Sequence, residues 1–157
     1  WTPTRIISVT CGSKTALSLA GGKDQGVLMA QATLDPSDSK DATTPQVTAF
    51  LSEGATGGLS KDDMEGGITS VGWGFGALFG KILESSSKID RAGVMNDAFA
   101  LKDVQFGLVR PDVEVATDGA KDPWVIEGFR IVERSGTGWN EKSPMDNQNG
   151  KSNSFAG

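Results

Sequence analysis

Six glycines fall inside a single helical pattern, and that stretch constrains the fold more than any other. It runs from Ser60 to Leu83 and reads SKDDMEGGITSVGWGFGALFGKIL. Ile68, Val71, Phe75, Leu78, Phe79, Ile82 and Leu83 recur at steps of three and four, the period of one broad apolar helix face. Ser60 is a good N-cap, and Asp63 three residues on completes a capping-box pattern. Asp62, Asp63 and Glu65 put negative charge in the first turn and Lys81 puts positive charge near the end, as the helix dipole favours. The spacing therefore predicts one long helix, stopped by Ser85-Ser86-Ser87. Gly66, Gly67, Gly72, Gly74, Gly76 and Gly80 would each cost about 1 kcal/mol relative to alanine in an exposed helix. Packing must recover that loss, so a sheet or helix is expected against the small residues. The uncharged run from Gly66 to Gly80 falls short of the ~20 apolar residues a bilayer requires, which argues against a membrane span.

A chain of 157 residues has room for one domain and one core. Its net charge of −5, with no basic cluster, argues against nucleic acid or an anionic membrane as partner. The absence of histidine removes the commonest general base and zinc ligand. Cys11 is the one cysteine, so no intrachain disulfide can form. The chain begins at Trp1 with neither Met nor leader, and its natural N-terminus is expected upstream.

Along the chain, Arg5–Thr10 reads as a buried strand, Cys11-Gly12-Ser13 as a turn, and Ser13 as the cap of a short helix to Leu19 that Gly21-Gly22 ends. Gly26–Thr33 is the next strand, which makes the opening β-α-β, the signature of a parallel sheet flanked by helices. The polar run 35–44 is a loop or linker. Pro45 starts a helix to about Ser52, and Asp90 caps another from Arg91 to about Ala100. A short strand is expected at Val113–Val115 and a long one at Trp124–Arg134. Ser135–Gly138 then reverses the chain into a return strand at Trp139. The Asn/Ser/Gly-rich stretch 140–157 is expected to be a disordered tail.

The order of these elements resembles the C-terminal part of the solute-binding proteins of ABC importers, in the branched-chain amino-acid (Leu/Ile/Val-binding-like) family. Four passages carry the likeness. Gly26-Val27, a strand, and Leu34-Asp35-Pro36 look like the way out of one lobe. Gly72-Trp73 with Ala77-Leu78 and Leu83 looks like the family's Gly-aromatic helix. Ile89-Asp90-Arg91-Ala92-Gly93-Val94-Met95 looks like its Arg…Val-Met helix start. Asp118-Gly119, Phe129-Arg130-Ile131-Val132 and Gly138-Trp139 look like its closing hairpin. The likeness spans Trp1 to about Trp139.

It implies an α/β chain with a partial type I periplasmic-binding-protein fold: a parallel sheet with flanking helices and a C-terminal β-hairpin. Residues 1–34 would end lobe two, 35–44 would cross the hinge, 45–120 would hold the last helices of lobe one, and 121–139 would form the hairpin. It further implies an extracytoplasmic, non-enzymatic protein without cofactor. Such a protein captures a branched-chain amino acid, an amide or a similar small polar organic ligand between two lobes. Its partners would be a membrane permease and the remaining N-terminal part of the same chain, without which this segment should bind poorly. Two other classes fit the same residues: a ligand-sensing receptor module on this fold, and a standalone structural or interaction domain.

The candidate ligand site is the turn Thr10, Cys11, Gly12 and Ser13. It follows a strand's C-terminal end and opens a helix, the place where α/β folds put ligands. A lobe-two residue of this turn contacts ligand in the family, often through a carboxylate, and no acid stands in the turn here. Ile68 and Val71 lie where the family's helix start approaches the cleft, although core packing is the ordinary role of apolar residues at such spacing. Trp73 reads as a core aromatic. Cys11 has no histidine to activate it and reads as a buried small hydrophobe. Asp62 and Asp63 are explained by capping. Asp112 and Glu114 lack an apolar setting that would raise a pKa for acid catalysis. Asp35, Asp38 and Asp41 lack the glycine and closing glutamate of a calcium loop, so no metal site is expected. GWGFG has no Lys-Ser/Thr after it and is no phosphate loop.

Overall fold

The computed structural model describes residues 1–119 and 121–151. Its elements in chain order are β1 (Ile6–Ile7), a 3-10 turn (Val9–Gly12), α1 (Lys14–Ser18), β2 (Leu28–Gln31), α2 (Pro45–Thr56) and α3 (Lys61–Glu65). They continue with α4 (Ile68–Ser85), α5 (Arg91–Ala98), β3 (Gly128–Ser135), β4 (Gly138–Glu141) and β5 (Asp146–Asn147).

The strands form one sheet in the order β1-β2-β3-β4, with β5 also paired to β3. β1 and β2 run parallel, Ile6 opposite Leu28, as the β-α-β reading requires. The rest of the sheet is antiparallel, so the sheet is mixed, with the expected hairpin at its C-terminal side. β3 returns against β2 with Gln31 opposite Arg130, and the hairpin folds β4 onto β3 with Arg134 opposite Trp139. The hairpin turn uses Gly136 at φ 59°, a left-handed conformation suited to glycine.

Three expectations about elements need correction. The first strand is two residues long and Ile6 is exposed, because β1 is an edge that pairs on one side alone. The stretch 113–115 is irregular chain outside the sheet. Asn147 holds it from both sides, its Oδ1 accepting from Glu114 N and its Nδ2 donating to the Asp112 carbonyl. Residues 140–151 are not a disordered tail. They supply the end of β4 and all of β5, and Lys40 Nζ donates to the Trp139 carbonyl at 2.8 Å and to Asn140 Oδ1 at 3.0 Å. Residues 152–157 of that expected tail lie outside the described residues.

The expected long helix is two helices. Ser60 and Asp63 do form a reciprocal capping box on α3. The helix then stops at Gly66, and Gly67, at φ 93°, serves as the cap of α4. A side chain is not tolerated at this corner: a Cβ on Gly67 would stand 3.0 Å from the Ser13 Cβ. The break is local in origin, Gly67 taking the left-handed conformation that ends a helix, and the Thr10–Ser13 turn packs against the corner it makes.

Three apolar clusters hold the chain together. Leu17, Met29, Val132 and Trp139 pack α1 on the sheet. Leu34, Val47, Phe50, Met64 and Leu108 join α2 and α3 to the linker, with Trp73 tilted on Phe50 at 5.3 Å between ring centroids. Leu78 and Ile82 of α4 pack with Leu101, Phe106, Val109, Val113 and Val115, and Val94 and Ala98 of α5 join them. The linker 35–44 is tied down by charge: Arg110 meets Asp41 at 3.1 Å, both side chains largely buried, and Asp41 also accepts from Asp35 N.

Candidate functional site

Strand β2 lays the first wall of a cavity. Met29, Gln31 and Thr33 line it and Ala30 and Ala32 do not, which is the alternation of a strand with one face turned inward. The chain then leaves the sheet through Leu34, Asp35 and Pro36, which line it as well. The second wall is the turn after β1, with Val9, Thr10, Gly12 and Ser13. The third is the start of α4, with Gly67, Ile68, Ser70, Val71 and Phe75. The space between these walls is about 520 Å³, within the range of small-molecule sites, and it is partly open to solvent.

Of the residues singled out in the sequence, the structure brings Thr10, Gly12, Ser13, Ile68 and Val71 around this one cavity. Cys11, in the same turn, is outside the lining. It is exposed, which corrects its expected burial: the 3-10 turn aims it away from the sheet. Gly12 is buried on Met29, where a Cβ would collide with the thioether sulfur at 2.1 Å. The Ser13 hydroxyl is engaged as the cap of α1, accepting from Ala16 N at 3.3 Å. Ile68 and Val71 are 68 % and 54 % exposed, so they are not core residues. Trp73 is packed as expected, and its Nε1 donates to Glu53 at 2.8 Å.

The inner turn of α4 is covered and its outer face is not. Gly74 lies against Gly107, whose Cα would be 3.5 Å from an added Cβ, so the close backbone approach is made by a loop rather than a sheet or helix. Gly72, Gly76 and Gly80 face open space. With Ile68, Phe75 and Phe79, Gly72 and Gly76 make a continuous exposed strip, Phe75 being 63 % and Phe79 54 % exposed.

Two ion pairs meet on Glu65, one of them tying α1 to α3. Lys14 Nζ lies 2.6 Å from Glu65 Oε2, and Lys61 lies 3.4 Å from Glu65 Oε1. The hydrogen bond from Lys14 holds Glu65 below the ordinary glutamate range, and the same bond raises Lys14. Neither lysine lines the cavity. Among the described residues Asp35 is its one ionisable lining group, and Asp35 Oδ1 accepts from both the amide and the hydroxyl of Ser37. The arrangement is an apolar space edged by hydroxyls, one carboxamide and one carboxylate. Gln31, Thr33 and Asp35 were not singled out in the sequence, although the alternation of β2 carries the signal.

Helices flanking a mixed sheet that closes on a C-terminal hairpin define a class: a partial type I periplasmic-binding-protein fold. The solved structure of a branched chain amino acid ABC transporter from Thermus thermophilus with bound valine has this architecture, at a TM-score of 0.67 and 16 % identity. The match covers 94 % of this chain and 40 % of that one, so this chain spans well under half of its neighbour's length. No family model matches the sequence, and no curated protein is significantly similar to it. Among the described residues, no helix is long and apolar enough to cross a membrane, and no cluster of side chains is fit to hold a metal ion.

Proposed function

We propose that this chain is the C-terminal part of the extracytoplasmic solute-binding component of an ABC importer. The cavity is its share of a site for a branched-chain amino acid, an amide or a similar small solute. The observation that carries the reading is the cavity itself: it is apolar, of small-molecule size, and set between the turn after β1 and the start of α4, on a fold shared with a valine-bound structure. Its lining suits capture rather than catalysis, since among the described residues Asp35 is the one ionisable group in it and is already engaged by Ser37.

The remaining N-terminal part of the protein is the proposed occupant of the exposed strip on α4. Ile68, Phe75 and Phe79 would each contribute about 2 kcal/mol when covered, and Gly72 and Gly76 would let a sheet approach closely. A permease would then receive the loaded protein.

Titration calorimetry of the full-length protein against valine, leucine, isoleucine and their amides tests the reading. Binding of at least one, lost on Val71→Asp, is the expected result. No binding of any at millimolar concentration would remove the reading. Deletion of the gene should also lower uptake of the bound solute by intact cells.

A further inference from the structure

Gln31 is out of place in ordinary core terms. It is 4 % exposed, its neighbour on the same strand face is the core residue Met29, and its side chain is turned into the cavity. Its carboxamide makes no hydrogen bond to any described residue, while its backbone stands opposite Arg130 in the ladder. Its polar atoms are not sealed off and meet the solvent of the cavity, so a ligand that enters must replace those bonds or leave the carboxamide unpaired.

We propose that Gln31 is the polar specificity residue of this cavity and that it selects an uncharged amide on an aliphatic solute. This rests on the reading of the cavity as a solute site given above. A carboxamide carries donors and an acceptor side by side, and a primary amide answers both with a pair of hydrogen bonds. A carboxylate offers acceptors alone, which would leave the oxygen of Gln31 facing lone pairs. The charges agree: no lysine or arginine lines the cavity among the described residues, and the carboxylate of Asp35 stands in its wall. The rest of the lining, including Val71, Phe75, Leu108 and Val109, fits a branched aliphatic body. A polar group built to meet a specific partner discriminates far more sharply than an apolar wall does.

The test uses the full-length protein and two probes of nearly equal shape, isovaleramide and isovalerate, titrated calorimetrically. Wild type should bind isovaleramide at least tenfold more tightly than isovalerate. Gln31→Met, close in shape and free of hydrogen-bonding groups, should lose tenfold or more for the amide and less than twofold for the carboxylate. The wild-type comparison stands even if the variant fails to fold. Equal affinity of wild type for the two probes, or an unchanged preference in a folded Gln31→Met, would overturn the assignment of Gln31 and leave the solute site intact. No binding of either probe, together with none of the branched-chain amino acids or their amides, would overturn both.

Discussion

At the scale of single residues, the fold depends on a few places where no larger group fits. Gly107 sits at φ 54°, and a Cβ there would stand 2.5 Å from the Cα of Gly74. Both atoms belong to backbone, so neither can give way cheaply. Gly107→Ala should destabilise the chain by about 3 kcal/mol in urea titration. Gly74→Ala meets ordinary contact at 3.5 Å and should stay within about 1 kcal/mol of wild type, since alanine is the better helix former. The Arg110–Asp41 pair is a second such place. Asp41→Ala leaves a largely buried guanidinium with only the longer, half-exposed Asp112 contact at 3.9 Å and also removes the acceptor of Asp35 N, and should cost about 2 kcal/mol. The sequence marks the residue types at these places but not the pairings. Gly107 and Gly74 lie 33 residues apart, and nothing local says that they touch.

At the scale of elements, local chemistry was legible and long-range chemistry was not. Ser13, Ser60 and Asp90 cap their helices as their spacing predicts, because a cap needs only the next three residues. Ser60→Ala should therefore cost about 1 kcal/mol. The break at Gly66-Gly67 was not read, although its left-handed glycine is a local signal, because the apolar period runs on across it. Nor was the exposure of Ile68 and Val71, because periodicity identifies an apolar face without saying what covers it. Alanine at Gly72, Gly76 and Gly80 gives this distinction an experimental form. In the 157-residue chain the triple variant should be more stable, by up to about 1 kcal/mol per site, because each position is open. In the full-length protein the gain should vanish or reverse at Gly72 and Gly76, where another backbone is proposed to pack. Thermal melts of the two proteins read the difference directly.

At the scale of the whole molecule, two carboxylates tie distant parts together and set the response to acid. Asp24 binds Arg134 at 2.9 Å, and that hydrogen bond lowers its pKa; Glu65 is lowered by Lys14. A carboxylate depressed in the folded state takes up protons more readily when unfolded. Its contribution is therefore complete above the ordinary carboxylate range and is lost as pH falls through that range to the folded values. Lys14 is raised, so its share is complete below the ordinary lysine value and is lost only as pH rises through the folded one. Stability measured against pH should fall on acidification. Lys14→Met should remove most of the smaller, more solvent-screened part due to Glu65, Lys61 keeping the rest, and leave the parts due to Asp24 and to Asp90, which Lys88 lowers. The element order and the hairpin could be read from the sequence, as could the turn that forms one wall of the cavity. Gln31 could not, because its strand face becomes a cavity wall only when the turn and α4 close over it.

The central claim is that the outer face of α4 is an internal surface of a larger binding protein. A single cysteine at Phe79, in a Cys11→Ser background, reports on that face through its rate of labelling by a thiol reagent. The account predicts labelling near the rate of a free thiol in the 157-residue chain and at least tenfold protection in the full-length protein. Equal rates in the two would show that nothing covers the face, and would contradict the claim.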